Sequence, residues 1–312
     1  MFEETFVSKK HFLQSEPWVR FQRSRGNEVV ERSGDGWEYA AIVERSRFSS
    51  RLYCPYGPTF VDDAALVAAL ADLEQTAREL SLDFVRVEPR GPVSAERLEE
   101  LGLVRSHHDV QPPHTIINDL RVPDLLASLK SVPRRRYRKL LREGGELTVS
   151  YDPADIDLFL DMIHAVADRT GMVPHSDDYF RALAASLFPE HDAGLMICRI
   201  DGRPAATVIF YTDGTVISYA HAASYDEFRK AGASTAGVIE TMIFGADTGH
   251  TIFDTYGAAP EGADESNPWY GFTRFKESFG GKHVDLSGTW ELPVRRLKYG
   301  IYTRLNRMLE RG

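Results

Sequence analysis

The segment Gly194–Ser224, GLMICRIDGRPAATVIFYTDGTVISYAHAAS, contains the pattern that decides the fold. Three apolar runs alternate with two Asp-Gly pairs, Asp201-Gly202 and Asp213-Gly214, and such pairs are typical of tight hairpin turns. A helical pattern, STAGVIETMIFGADTG, follows the third run, and another apolar run, HTIFDTYG, comes next. The pattern predicts three antiparallel strands, a helix and one further strand.

The first part of the chain shows the same order of elements. GWEYAAIVERS and RLYCPYGPTF predict strands, DDAALVAALADLEQTARELS predicts a helix, and DFVRVEP predicts another strand. No residue-level repeat accompanies this order. We therefore expect an α/β fold with mixed sheets, built from two copies of one module. The expected domains are 1–149 with the C-terminal helix 291–312, and 150–290.

Composition limits the class of protein. The 312 residues exceed one typical core, and 43% hydrophobic with 27% charged residues describe an ordinary folded protein. Cys54 and Cys198 show no metal or redox spacing, which favours a reducing compartment. No apolar run approaches transmembrane length. We expect a cytoplasmic protein without a metal or another cofactor.

Two basic segments contrast with a net charge of −9. KSVPRRRYRKLLR (Lys130–Arg142) carries seven positive side chains and no acid. With Tyr137, Leu140 and Leu141 facing inward, its arginines would form one outward stripe, which favours a polyanionic ligand over a solvated linker helix. The stripe consists of Arg134, Arg135, Arg136 and Arg138.

The second basic segment is the C-terminal one, VRRLKYGIYTRLNRMLERG, with six positive residues and one acid. Leu297, Ile301, Leu305 and Met308 follow a helical spacing. We expect this helix to pack across the first domain with its basic face outward. Peripheral contact with a membrane surface is the alternative.

Motifs of covalent or metal catalysis do not occur in the sequence: it has no GxSxG elbow and no HExxH pair. This favours an enzyme that positions its substrates.

Several segments, in order, resemble the FemABX family of aminoacyltransferases. They are FLQSEPWVRFQ, YCPYGPTF, RVEP, QPPHTIINDL, SLK…RRRYRKLLREGGELTV, FDTYGAAP and GFTRFKESFGGKHVDLSGTWELPV. The resemblance spans nearly the whole chain and implies two tandem GNAT-like acyltransferase domains. It also implies transfer of an amino acid from aminoacyl-tRNA to an amine of a peptidoglycan precursor, carried by UDP or by a lipid. The chain lacks the coiled-coil arm of some members, and we expect a monomer, working in the cytoplasm or at the inner membrane face.

The resemblance also implies site residues. Lys276 stands in the family's FK motif, where a cation stabilises the tetrahedral oxyanion or holds a tRNA phosphate. Asp254 stands at the family's strand-end aspartate, and a turn-forming role is the alternative. Both are expected to be catalytic. The implied substrate-binding residues are Arg20, Gln22, Tyr56, Arg86, Glu88, Tyr179, Tyr219 and Phe275.

Some of these positions depart from the family pattern. Gln22 replaces a lysine, which puts a phosphate contact there in doubt, and Arg20 or Arg23 is the substitute. Glu88 replaces an aspartate, and an ion pair with Arg86 is the alternative. His175, near Tyr179, stands where family members tend to have an arginine.

Two other classes of function stay open. RKAGAS (Arg229–Ser234), ahead of a helix, has features of the pyrophosphate loop of a GNAT enzyme that uses acyl-CoA. A non-catalytic module that holds RNA on the arginine stripe is the second.

Overall fold

A computed structural model of the chain describes residues 2–309, and for 306–309 it describes the backbone helix only. The side chain of Met308 and residues 310–312 of the expected C-terminal helix lie outside the described residues. The described helices are α1 (Phe2–Ser8), α2 (Glu16–Ser24), α3 (Asp63–Glu79), α4 (Ala95–Glu100), α5 (Leu125–Ser128), α6 (Ser131–Arg142), α7 (Ile156–Thr170), α8 (Asp177–Leu187), α9 (Ala233–Asp247), α10 (Tyr270–Glu277) and α11 (Arg296–Leu309). The described strands are β1 (Val29–Gly34), β2 (Trp37–Arg45), β3 (Ser50–Cys54), β4 (Thr59–Phe60), β5 (Phe84–Val87), β6 (Val104–Arg105), β7 (His114–Asp119), β8 (Glu146–Ser150), β9 (Ala193–Ile200), β10 (Arg203–Thr212), β11 (Val216–Ser224), β12 (Ile252–Asp254), β13 (Lys282–Asp285) and β14 (Trp290–Pro293).

Over the described residues, unit 1 comprises Glu3–Pro113 and the C-terminal segment that begins at Asp285. Its sheet has the order β1-β2-β3-β5-β14-β6, with β4 paired to β2. Strands β1, β2 and β3 are antiparallel neighbours, α3 follows, and β5 then pairs parallel to β3. One side of α3 packs on this sheet through Leu66, Leu70 and Leu73, which are almost fully buried.

Unit 2 comprises His114–Val284, with the sheet order β13-β7-β12-β11-β10-β9-β8. Strands β9, β10 and β11 are antiparallel, α9 follows, and β12 pairs parallel to β11. The expected strands of Gly194–Ser224 are therefore confirmed. Both units share one order of elements, so the predicted repeat of a mixed α/β module is confirmed too.

Each sheet takes in one strand that is distant in sequence. Strand β14 pairs with β5 in unit 1, and β7 pairs with β12 in unit 2. The expected domain boundary near Val149 is corrected to Pro113, because β7 and β8 both belong to the second sheet. The expected C-terminal helix from 291 is corrected as well, since Trp290–Pro293 form β14 and the helix begins at Arg296.

The two basic helices differ in part from their predicted packing. In α6, Tyr137 and Leu140 are buried as expected, but Leu141 is 43% exposed because it lies beside the arginine face. In α11, the contacts to unit 1 come from Tyr299 and Tyr302, and Leu297, Ile301 and Leu305 face outward.

Over the described residues, none of the helices has the length and apolar character needed to cross a membrane.

Candidate active site

The best-defined polar site of unit 2 forms where β12 ends. The backbone turns sharply after Asp254, with left-handed conformations at Tyr256 (φ 54°) and Gly257 (φ 93°). A non-glycine residue in this region is uncommon, and it persists only where its surroundings hold it. The turn aims two consecutive carbonyl oxygens at Lys276, which lies on α10.

Lys276 is a buried cation, with only 7% of its surface exposed. Its Nζ donates to the carbonyl oxygens of Gly257 at 2.6 Å and Tyr256 at 3.1 Å. The ammonium also lies over two aromatic rings, 4.8 Å from the Phe272 centroid and 5.8 Å from that of Tyr219. Burial lowers the pKa of Lys276 to about 8, and the negative charge of Asp254 opposes this shift.

Asp254 holds the turn together. Its Oδ1 accepts from Thr115 Oγ1 at 2.6 Å and from the Tyr256 backbone N–H at 2.9 Å, and the side chain is 4% exposed. The turn-forming alternative is therefore realised. A direct catalytic role of Asp254 stays a prediction.

Two of the expected substrate-binding residues lie near Lys276: the half-buried Tyr219 contacts the cation, whereas Phe275 is turned toward the core. The Phe275 ring packs edge-on against Phe279, with centroids 5.1 Å apart. Helical spacing explains this difference. Phe272 and Lys276 are four residues apart and share one face of α10, whereas the residue just before Lys276, Phe275, points about 100° away.

A second group of aromatic residues continues from Tyr219 along β11. His221 lies two residues on, but a β-bulge between them pairs Tyr219 with Phe210 and His221 with Ile209, so the two side chains lie on opposite faces of the sheet. Burial lowers the pKa of His221 to about 3, with a further contribution from His175, and the ring is neutral at physiological pH. The ring of His175 stacks on that of Tyr179, with centroids 4.2 Å apart.

His175 and His221 border a cavity of about 400 Å³ in unit 2. Its lining is mainly apolar, with the two imidazoles of His175 and His221 as polar groups. The phenol of Tyr211 lies nearby, 3.3 Å from His221 Nε2. Burial raises the pKa of Tyr211, and its neighbours Tyr179 and Tyr256 add to this. Tyr179, which was expected to bind substrate, thus lies in an aromatic cluster. Its contact with substrate stays a prediction.

The arginine stripe of α6 lies on the outside of unit 2. Arg135, Arg136 and Arg138 are exposed, while Arg134 is half-buried and donates to the Ala127 carbonyl oxygen at 2.7 Å. The aliphatic part of Arg136 lies over Gly232, the residue preceding α9. The stripe therefore borders the amino end of α9.

In unit 1, Glu88 organises a buried network. Its carboxylate accepts from Thr289 Oγ1 at 2.6 Å, Tyr53 Oη at 2.9 Å, and the backbone N–H groups of Gln111 at 2.9 Å and Tyr56 at 3.3 Å. Burial raises its pKa, and these donors act in the opposite direction. In this structure Glu88 joins three segments of unit 1. A contact with substrate stays a prediction.

Arg86 pairs with Glu291 on the neighbouring strand β14, not with Glu88. It also donates to Tyr302 Oη at 2.9 Å. The ion pair offered as the alternative reading is corrected, because pairing of β5 with β14 places Glu291 directly opposite Arg86. Both side chains lie on the wall of a second cavity, about 310 Å³, that also contains Arg105, His107 and His108.

The other expected site residues of unit 1 differ in exposure. Arg20 is exposed on α2. Gln22 is buried and accepts from Asn27 Nδ2 at 2.6 Å, so it orders the loop after the helix. Tyr56 is 7% exposed, and its hydroxyl donates to the Pro112 carbonyl oxygen at 2.9 Å. Their contacts with substrate stay predictions.

Five residues of the unit 2 site were missed by sequence reasoning: Thr115, Tyr211, His221, Tyr256 and Phe272. His221 gave no usable signal, because the β-bulge beside it breaks the alternation from Tyr219. Thr115 gave no signal, because its strand is far from Asp254 in sequence and the pairing of β7 with β12 could not be foreseen.

The comparisons with known proteins agree with this architecture. Residues 128–270 match a family model described as an acetyltransferase (GNAT) domain. No curated protein matches the chain in sequence.

Solved structures that resemble the chain include FemX, with a TM-score of 0.83 and 16% identity over 96% of this chain and 97% of that one. L-PGS from Bacillus licheniformis gives a TM-score of 0.57 and 17% identity over 95% and 99%. A tandem GNAT protein from the clavulanic acid biosynthesis pathway gives 0.54 and 13% over 86% and 83%. The predicted fold of two tandem GNAT-like domains is confirmed, and so is the resemblance to FemABX proteins at the level of the fold.

Proposed function

We propose that the protein is an aminoacyltransferase that moves an amino acid from aminoacyl-tRNA to an amine of the stem peptide of a peptidoglycan precursor. The observation that carries this proposal is Lys276, a buried ammonium fixed by two backbone carbonyls, on the fold that the chain shares with FemX. In this role the protein forms the interpeptide bridge of the cell wall.

The reaction needs positioning and charge stabilisation. The acceptor amine attacks the carbonyl carbon of the aminoacyl ester, a C–N bond forms, and the carbonyl oxygen becomes an oxyanion. The C–O bond to the ribose then breaks, and the proton lost by the amine ends on the ribose oxygen. Because the ester is already activated, no nucleophile on the protein is required.

Lys276 supplies the charge for the oxyanion. Two of its three N–H groups donate to the turn, and this fixes the direction of the third. A pKa of about 8 keeps most of the side chain protonated at neutral pH. A desolvated cation interacts with a developing negative charge more strongly than a solvated one does. Asp254 acts here by holding the turn, and through it Lys276.

Each unit is assigned one substrate. Unit 2 takes the aminoacyl-tRNA: Arg135, Arg136 and Arg138 are exposed and bind the phosphates of the acceptor end. The apolar cavity bordered by His221 takes the side chain of the amino acid. Unit 1 takes the precursor, through Arg20, Tyr56 and the cavity that contains Arg86. The chain acts as a monomer on the cytoplasmic side of the membrane.

A second candidate is an N-acyltransferase that uses acyl-CoA. The GNAT match over residues 128–270 favours it, as does the helix α9 that begins after Gly232, since the first N–H groups of a helix bind pyrophosphate. Arg136, which lies over Gly232, is placed to bind a phosphate of either aminoacyl-tRNA or acyl-CoA.

Donor choice separates the two candidates. Purified protein is incubated with UDP-muramyl-pentapeptide and either a pool of labelled aminoacyl-tRNAs or labelled acetyl-CoA. The proposal expects label in the peptide from tRNA and none from the CoA ester. Label from acetyl-CoA alone would replace the proposal with the second candidate. tRNA binding that is indifferent to aminoacylation, with no transfer, would support an RNA-binding module.

A further inference from the structure

The described part of helix α11 has two faces of different character. The inner face packs on unit 1: the rings of Tyr299 and Tyr302 lie 5.4 Å and 4.9 Å from that of Phe84. The outer face is apolar and exposed. Its residues are Leu297, Ile301 and Leu305, with 88%, 58% and 38% of their surfaces exposed. At four-residue spacing they form a stripe that spans ~80° of the helix.

Basic residues border this apolar stripe on both sides. Lys298 and Arg304 each lie roughly 20° outside one edge of the stripe in an ideal helix, and both are exposed. Arg296, the first residue of α11, is also exposed. The segment 296–309 contains no aspartate or glutamate. An apolar stripe between cations is the pattern of a helix that lies in the interface of an anionic membrane.

A second element of unit 1 adds to this surface. The β2–β3 hairpin carries Phe48 at its tip, and this side chain is 68% exposed. The Arg47 guanidinium lies 5.3 Å from the centroid of the Phe48 ring. The hairpin and α11 meet at Asp83.

Asp83 fixes the position of both elements. Its Oδ2 accepts from the N–H and the hydroxyl of Ser50 at 2.8 Å and 2.9 Å, at the end of the hairpin. Its backbone carbonyl accepts from Arg295 N at 2.8 Å, at the start of α11, and its carboxylate lies 3.7 Å from Lys298 Nζ. Asp83 therefore anchors the base of the hairpin and the start of α11 side by side in unit 1.

We propose that this surface, α11 with the β2–β3 hairpin, binds an anionic phospholipid membrane. Leu297, Ile301 and Phe48 enter the boundary between headgroups and acyl chains. The surrounding arginines and lysines bind the headgroup phosphates. Each basic residue near such a surface adds to the affinity, and salt weakens it.

The charge pattern decides between occupants. A second copy of the chain would bring the same cations against each other, which disfavours a self-complementary contact. A nucleic acid would use the cations but would leave the apolar stripe against a charged backbone. An anionic membrane satisfies the stripe and the cations at once.

This inference rests on unit 1 alone and does not need the transfer reaction. Where the proposed function also holds, the surface brings the enzyme to the membrane and favours a lipid-linked acceptor over a UDP-linked one. The two proposals can fail separately, because membrane binding is measured without any substrate.

The test is flotation of the full chain with vesicles of phosphatidylcholine alone or mixed with an equal amount of phosphatidylglycerol. We expect binding to the mixed vesicles, weakening as salt rises, and little binding to the neutral ones. Leu297→Gln with Ile301→Gln, and separately Arg296→Glu with Arg304→Glu, are each expected to reduce binding by about tenfold or more. These positions are exposed, so the thermal unfolding midpoint should not change.

Matched controls make the result specific to this surface. Val61→Gln changes an apolar residue of unit 1 that is 77% exposed, and Arg135→Glu with Arg138→Glu reverses two exposed charges on α6. Both should bind mixed vesicles as the unmodified chain does. The proposal is overturned if the chain ignores anionic vesicles, if the controls lose binding equally, or if the α11 variants abolish a dimer and not membrane binding.

Discussion

Replacement of Lys276 by methionine tests the proposed role of its ammonium. Methionine keeps an unbranched apolar stem against Phe272 and Tyr219 but removes the charge and the donors. Loss of one donor to an oxyanion typically lowers kcat by about 10²–10³, or roughly 3–4 kcal/mol of transition-state stabilisation. We expect a decrease of this size.

The effect on folding should be smaller, because two terms oppose each other. Burial that lowers the pKa from 10.5 to about 8 implies that the charged form destabilises the fold by about 3 kcal/mol near neutral pH. Methionine removes this cost and also removes two charge-assisted hydrogen bonds to the turn, each contributing about 1.5–3 kcal/mol. We expect the free energy of unfolding to fall by no more than about 3 kcal/mol.

The assay measures kcat for transfer from aminoacyl-tRNA, with urea unfolding of the same preparation. Lys282→Met, an exposed lysine on β13, is the matched control and should keep both kcat and stability. A folded Lys276→Met protein with unchanged kcat would refute the reasoning. So would a loss of activity that is matched by a loss of several kcal/mol in stability.

Four further predictions follow from the structure. If Lys276 acts as a cation, kcat should fall as pH rises through about 8, because deprotonation removes the positive charge. Lys276→Arg should remove this fall in kcat, because arginine stays protonated. A kcat that rises through the same pH would instead indicate a general base. Asp254→Asn should lower kcat without removing the pH limb, because the residue positions the turn; a lost limb would indicate direct proton transfer. Glu88→Gln should destabilise the chain by about 1–3 kcal/mol in urea unfolding, since an amide cannot accept all four hydrogen bonds; an unchanged midpoint would contradict the network described. Arg135→Glu with Arg138→Glu should raise the Kd for aminoacyl-tRNA and lower its salt dependence by about two phosphate contacts, and an unchanged salt slope would exclude the α6 stripe from the interface.

The sequence was sufficient for the local elements. The Asp-Gly turns and the alternating runs of Gly194–Ser224 predict strands that pair as neighbours in the chain, and neighbouring strands usually pair. The pairings of β7 and β14 could not be predicted, because each strand joins a sheet whose other strands are distant in sequence. The error in the domain boundary has this single cause.

The site was predictable only in part for a similar reason. Lys276 followed from a resemblance, but Phe272, one helical turn before it, was not predicted. The residues that fix the cation, Tyr256 and Thr115, act through backbone geometry and a cross-strand hydrogen bond. Neither leaves a pattern in residue types. In α11, helical spacing placed Leu297, Ile301 and Leu305 in one stripe. Spacing alone does not show whether such a stripe faces the core or the outside.

The most direct test of the central claim is a mass spectrum of the acceptor after reaction. The protein is incubated with a pool of aminoacyl-tRNAs and with the UDP-linked or lipid-linked precursor, and the stem peptide is then fragmented. The account predicts a mass increase of one or more amino acid residues, located on a side-chain amine of the peptide and formed far more slowly with Lys276→Met. A peptide unchanged in mass with both precursors, while aminoacyl-tRNA stays intact, would contradict it.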